Sequence, residues 1–126
     1  KVLLAYDGSV PAARAMQQFV QHRPFGTETT LEVVNVRSRG DKSVDESKLL
    51  LKLAQSYCSA HGFNVSTASI ETHGDTGAQI LHHAEEIGAD LVVAGAHAMS
   101  RVRKWVIGSA TEHLLAESDL PLFLYH

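Results

Sequence analysis

The segment from Gly95 to Ser109 contains residue types that suit the binding of phosphate groups. Gly95 and Gly108 have no Cβ atom, so their backbone can approach a phosphate closely and can reach positive φ. Ser109 is expected to open a helix, where unpaired N–H groups and the helix dipole both favour negative charge. Three cations lie between the two glycines, at Arg101, Arg103 and Lys104. The segment therefore predicts a backbone cradle for phosphate with cationic side chains beside it.

These cations also fit a simpler interpretation, in which they form the solvated face of a surface loop. Short charge clusters are often no more than that, because exposed charges interact only weakly. Trp105 in the same segment could shield a ligand, but an aromatic side chain there more often packs or contacts a partner. From the residues alone, both interpretations of the cations stay open.

An acidic residue follows the first expected strand. A carboxylate at Asp7 could contact Mg²⁺ or a ribose hydroxyl. Asp7-Gly8 is also a common turn pair, so the same residue could simply shape the turn before a helix. We expect a ligand role, because residues that follow strands of this kind line ligand crevices.

Five strands and four helices are expected to position these residues. The strands are short apolar or β-branched runs bounded by turn residues, at 2–6, 30–36, 63–72, 90–95 and 120–125. The helices show apolar residues at helical spacing and run from 9 to about 22, from 49 to 62, from 75 to 88 and from 109 to 117. Ser9 suits an N-cap, and Gly62 and Gly88 suit helix ends.

Alternating strands and helices of this length predict right-handed crossovers and a mostly parallel sheet covered by helices on both faces. Winding must reverse at one point of such a sheet, and ligands bind in the crevice at that point, outside the carboxyl ends of the strands. The pattern alone does not say which strands flank the crevice.

Composition limits the classes of partner. The 126 residues make one domain, and their net charge of 11 − 14 = −3 predicts no broad positive surface for nucleic acid or an anionic membrane. Cys58 is the single cysteine, which excludes an internal disulfide and favours a reducing, cytoplasmic compartment. The opening apolar run 1–6 is too short for a signal peptide or a spanning helix.

Several kinds of enzyme site are absent from the sequence. There is no GxxxxGK[ST] loop, no GxSxG elbow and no glycine-rich dinucleotide fingerprint after the first strand. No nucleophile is visibly paired with a base, so we do not predict an efficient enzyme. The adjacent His82 and His83 point to different parts of a helix surface, so we expect no structural zinc site.

A family resemblance covers almost the whole chain. Gly95-Ala96-His97-Ala98, then nine residues, then Gly108-Ser109, resembles the signature of the universal stress protein family, with Ala98 in place of the second glycine. Four further segments are similar to that family in the same order, at 3–9, 33–36, 88–95 and 119–122. Because the five pieces occur in order, the chain is identified as a member of the family, with one domain at 1–126.

The resemblance implies an adenine nucleotide alpha hydrolase-like α/β/α fold with strand order 3-2-1-4-5 and a crevice between strands one and four. It also implies ATP with Mg²⁺ as the ligand, with the signature loop around the phosphates, an acidic residue near the nucleoside or metal, and the end of strand two near the base. Transferred to this sequence, the nucleotide-binding positions are Asp7, Val36, Gly95, Ala98, Gly108 and Ser109. Any ATP hydrolysis would be slow and incidental.

Two functions from different classes follow. The first is an adenine-nucleotide-binding domain that signals stress through dimerisation, favoured by Gly95, Gly108, Ser109 and the nearby cations. The second is a dimeric interaction protein of the same fold that binds no nucleotide, favoured by Ala98. In both we expect a homodimer through the apolar edge strand from Leu120 to Tyr125, whose exposed hydrogen-bonding groups need cover.

Overall fold

The computed structural model describes residues 1–26, 28–38, 44–95 and 120–125. The strands are β1 (Val2–Ala5), β2 (Thr30–Ser38), β3 (Asn64–Thr72), β4 (Leu91–Gly95) and β5 (Leu122–Tyr125). The helices are α1 (Val10–His22), α2 (Val44–Ala60) and α3 (Thr76–Glu86). The fourth expected helix, at 109–117, lies outside these ranges. None of the three helices described is long and apolar enough to cross a membrane.

The sheet confirms the predicted strand order, β3-β2-β1-β4-β5. The sequence predicted a mostly parallel sheet. All four neighbouring pairs of the described strands are parallel. After β3 the chain passes back across the sheet to β4, which reverses the direction of winding. The switch point therefore falls between β1 and β4, as the family resemblance implies.

Helices cover both faces of the sheet because side chains of β1 alternate between two cores. Val2 and Leu4 join a core formed with α1 and α2, in which Phe19 is the largest fully buried side chain. Leu3 and Ala5 join a second core formed with α3. A strand buried on both faces reads as a continuous apolar run, which is the sequence pattern of β1.

Side chains fix where α1 and α3 begin. The Ser9 hydroxyl accepts a hydrogen bond from the Ala12 N–H at 3.3 Å, and the Asp75 carboxylate accepts from the N–H groups of Gly77 and Ala78 at 3.4 and 3.3 Å. Each cap satisfies N–H groups that have no partner inside the helix. The caps therefore fix the residues at which α1 and α3 begin.

A polar pair lies in the α3 face of the sheet, in the amino-terminal half of β2. Glu32 is buried, and its carboxylate meets His83 Nε2 at 3.0 Å and Lys1 Nζ at 3.5 Å. His82 instead points outward and meets Glu86 at 3.2 Å, so the adjacent histidines do diverge. Because a buried carboxylate needs a partner, we assign this pair a structural role.

Candidate functional site

The structure brings Asp7 and Gly95 to the same edge of the sheet on neighbouring strands. Leu4 of β1 pairs with Val93 of β4, Gly95 ends β4, and Asp7 follows β1 by two residues. Val36 lies near the carboxyl end of β2, half-buried against the α3-side core. Three of the sequence-predicted site residues therefore share the edge where the switch point opens.

The remaining predicted residues lie outside the described part of the chain. These are the signature-loop positions and the cations: Ala98, Arg101, Arg103, Lys104, Gly108 and Ser109. The phosphate cradle and the opening of the fourth helix stay predictions from the sequence.

A compact turn carries Asp7 out of β1. Asp7 Oδ1 accepts a hydrogen bond from the Ser9 N–H at 2.9 Å, and Gly8 has φ +80°, a conformation that favours glycine. Leu50 of α2 lies over this turn, since a Cβ at Gly8 would stand 2.7 Å from Leu50 Cδ2. Asp7 therefore shapes the turn, which is one of its two interpretations, and it does so at the mouth of the crevice.

Side chains hold two of the N–H groups at the start of α1, and a third residue there has none. Pro11 has no N–H, the Ala12 N–H is held by Ser9, and the Ser9 N–H is held by Asp7. A helix start binds anions through N–H groups without partners. The N–H groups of Ser9 and Ala12 are therefore not available to a phosphate.

Gly95 has a packing role that the sequence analysis did not identify. A Cβ on Gly95 would lie 2.5 Å from Ala12 N and 2.7 Å from Pro11 C, so the end of β4 touches the backbone of α1. This contact leaves no room for a side chain at the end of β4. The sequence signal was the small residues that start α1, Pro11-Ala12-Ala13, which leave the helix backbone open to close approach.

A series of buried hydrogen bonds lies beneath the Asp7 turn, and the sequence analysis did not predict it. Asn35 is 1% exposed, and its Nδ2 donates to the Tyr6 carbonyl at 2.8 Å. The Ser47 hydroxyl donates to Asn35 Oδ1 at 2.8 Å and lies 2.8 Å from the Ser69 hydroxyl. A single amide within the run Val33-Val34-Asn35-Val36 was the signal, because a buried amide must find hydrogen-bond partners.

Charge at the turn acts on the neighbouring phenol. Burial raises the pKa of Tyr6, and the negative charge of Asp7 raises it further. Both effects disfavour the phenolate. The Asp7 carboxylate therefore acts electrostatically on the β1 side of the crevice.

A shallow groove of about 360 Å³ lies elsewhere, along one flank of α3. It is lined by Thr72 and Gly74 at the end of β3 and by α3 residues between Asp75 and Glu85. None of the sequence-predicted site residues lines it. Because β3 is two strands away from β1, this groove is separate from the switch-point crevice.

The fold defines the class: a doubly wound α/β domain whose winding reverses between β1 and β4. The family model described as "Universal stress protein family" matches residues 1–126, so the chain belongs to the universal stress protein family. Universal stress protein Slr1230 of Synechocystis sp. is 29% identical over 126 residues, 99% of this chain and 42% of the relative. The chain spans less than half the length of the curated relatives it matches.

Solved structures share the fold. A universal stress protein in complex with cAMP superposes with a TM-score of 0.70 at 18% identity, over 99% of this chain and 95% of that one. The universal stress protein from Archaeoglobus fulgidus in complex with dAMP gives 0.70 at 18% identity, over 99% and 96% of the two chains.

Proposed function

We propose that this domain binds an adenine nucleotide, ATP with Mg²⁺, in the crevice between β1 and β4. The observation that carries the proposal is the convergence of Asp7 and Gly95 at the carboxyl ends of two adjacent parallel strands that flank the switch point. Universal stress proteins of the same fold are described in complex with cAMP and with dAMP, which supports the adenine class.

Each residue has a proposed task. The Asp7 carboxylate faces the ribose or the Mg²⁺ ion, and the Val36 backbone meets the base. Backbone groups around Gly95, Ala98, Gly108 and Ser109 wrap the phosphates, and Ser109 opens the helix whose N-terminus faces them. The side chains of Arg101, Arg103 and Lys104 neutralise phosphate charge.

Calorimetric titration tests this proposal. ATP with Mg²⁺, cAMP and dAMP are titrated into the parent protein and into Gly108→Val, in which a branched side chain enters the predicted cradle. Gly74→Ala is the control, because it also replaces a glycine but lies two strands from the switch point, with 3.9 Å from its new Cβ to the nearest atom outside its chain neighbours. Binding by the parent and the control, with loss in Gly108→Val, supports the cleft.

One sequence feature favours a second function, a dimeric interaction protein of this fold that binds no nucleotide. Ala98 stands where the family signature has glycine, and strain at a left-handed position there would cost about 1 kcal/mol or more. Absence of binding for all three nucleotides in the parent protein would favour this function.

For either function we propose a cytoplasmic homodimer joined through the β5 edge. Within the described sheet β5 has β4 on one side and is an edge strand. Phe123 packs edge-on against Phe19 with centroids 6.3 Å apart, and Leu122 packs against the opposite core. The edge therefore offers a second copy its backbone N–H and C=O groups, and Phe123→Lys would damage the core.

Sedimentation analysis over a micromolar concentration series tests this arrangement. We expect a dimer whose β5 amides are protected from hydrogen exchange. A monomer at every concentration would remove the dimer from the proposal.

A further inference from the structure

We propose that Asn35 and Ser47 are positioning residues for the Asp7 turn, so that nucleotide affinity depends on a buried hydroxyl of α2. This inference rests on the proposed function, because its affinity readout requires a ligand in the crevice. It also makes a separate claim about the ligand-free protein: the hydrogen bonds of Asn35 and Ser47 hold the Asp7 turn in place, an arrangement that we call the tether.

Donor and acceptor chemistry fixes the direction of the series of hydrogen bonds beneath the Asp7 turn. The Tyr6 carbonyl can only accept, so the Asn35 amide must turn its NH₂ group toward it and its oxygen toward Ser47. Ser47 has one hydroxyl proton, which it gives to Asn35, so the Ser69 hydroxyl must donate to Ser47. The donors therefore run in one direction, from β3 through α2 and β2 to Tyr6, and each bond polarises the next.

This series of hydrogen bonds ends at the carbonyl of Tyr6, in the peptide group that joins Tyr6 to Asp7. The Tyr6 N–H donates to the Val34 carbonyl at 2.9 Å, and the Tyr6 carbonyl is held by Asn35 at 2.8 Å. Both backbone groups of Tyr6 are thereby fixed to β2. The next residue, Asp7, starts the turn with its bond to Ser9. The direction in which the Asp7 carboxylate leaves the sheet is set by this anchored peptide.

Removal of the Ser47 hydroxyl should weaken the hold of Asn35 on the Tyr6 carbonyl without touching the proposed ligand position. Ser47 is 0% exposed, so Ser47→Ala leaves Asn35 Oδ1 buried without its Ser47 donor, and the amide loses the bond that fixes its orientation toward Tyr6. Ser47 lies on α2, whereas Asp7 and Gly95 belong to β1 and β4 or the segments that follow them. A change in affinity would therefore reach the crevice through the turn.

The experiment combines ATP–Mg²⁺ titration with amide hydrogen exchange at Tyr6 and Ser9. We expect Ser47→Ala to bind about tenfold more weakly, the effect of one hydrogen bond, and to exchange faster at both amides. Ser56→Ala is the matched control, since it makes the same substitution at an exposed position of α2.

A double variant, Asn35→Leu with Ser47→Ala, separates positioning from stability. It removes the Asn35–Ser47 pair but leaves the Tyr6 carbonyl without its donor, so its affinity should stay low even if its unfolding midpoint recovers toward that of the parent. If affinity recovers together with the midpoint, stability alone explains the loss and the inference fails.

Two further outcomes decide the matter. If Ser47→Ala matches Ser56→Ala in ATP affinity, the inference is overturned, whatever the exchange rates. If the parent binds no ATP, cAMP or dAMP, the proposed function fails. The tether is then tested by amide hydrogen exchange in the ligand-free protein. Faster exchange at Tyr6 and Ser9 in Ser47→Ala then supports the tether, and unchanged exchange refutes it.

Discussion

Gly95→Ala probes the contact between the end of β4 and the first turn of α1. Gly95 lies outside the left-handed φ region, so alanine brings no backbone strain and its effect is steric. The new Cβ would stand 2.5 Å from Ala12 N and 2.7 Å from Pro11 C. Both are backbone atoms of the first turn of α1, so no side-chain rotation can relieve the contact and the helix start must move.

Overpacking of this kind typically costs 1–3 kcal/mol, and a contact against backbone belongs in the upper part of that range, at about 2–3 kcal/mol. For a domain of this size each kcal/mol lowers the midpoint by about 4 °C, so we expect a loss of about 10 °C. Urea and thermal unfolding followed by circular dichroism measure both quantities.

Gly74→Ala is the matched control, because its Cβ would have 3.9 Å to Thr72 Oγ1 as its nearest contact. Its unfolding free energy should stay within about 0.5 kcal/mol of that of the parent. Equal stability of Gly95→Ala and Gly74→Ala would show that the end of β4 and the first turn of α1 do not meet as described.

Three further predictions concern groups around the turn and the core. Gly8→Ala should cost about 1–2 kcal/mol through its left-handed φ and its contact with Leu50, and Leu50→Ala should relieve part of that cost in urea unfolding; additive losses would argue against the contact. Burial raises the pKa of Cys58 to about 11, so Ellman's reagent at pH 8 should label the thiol slowly in the native protein and rapidly once urea has unfolded it. Rapid labelling of the native protein would contradict the burial of Cys58. Asp7→Asn should lower the Tyr6 pKa, since burial raises that pKa first and the Asp7 charge second; an unchanged value in ultraviolet titration, with Tyr6→Phe as the blank, would remove the electrostatic contact.

Some element boundaries changed because tertiary pairing extends local structure. β2 continues past Val36 because Arg37 and Ser38 pair with Glu71 and Thr72 of β3, which no local pattern around Val36 reveals. α2 begins at Val44, earlier than the apolar spacing that starts at Leu49. Its first turn contains Asp45 and Glu46, which favour a helix start through the dipole and leave no apolar signal.

The candidate site was predictable where it depends on strand ends. Parallel strands place their carboxyl ends at one edge, so Asp7, Val36 and Gly95 were expected there, and the structure places them there. The pairing of β1 with β4 came from the family resemblance, since alternation of strands and helices is compatible with several strand orders.

The sequence by itself determined the order of the five strands and three helices described and the helix cap at Ser9, because these depend on local spacing and residue type. Only the tertiary structure decided why Gly95 must lack a side chain and what satisfies Asn35. Both answers lie in contacts between segments distant along the chain, Gly95 with Ala12 and Asn35 with Tyr6 and Ser47. Steric fit and buried hydrogen bonds are properties of atoms brought together by folding, so no local pattern can specify them.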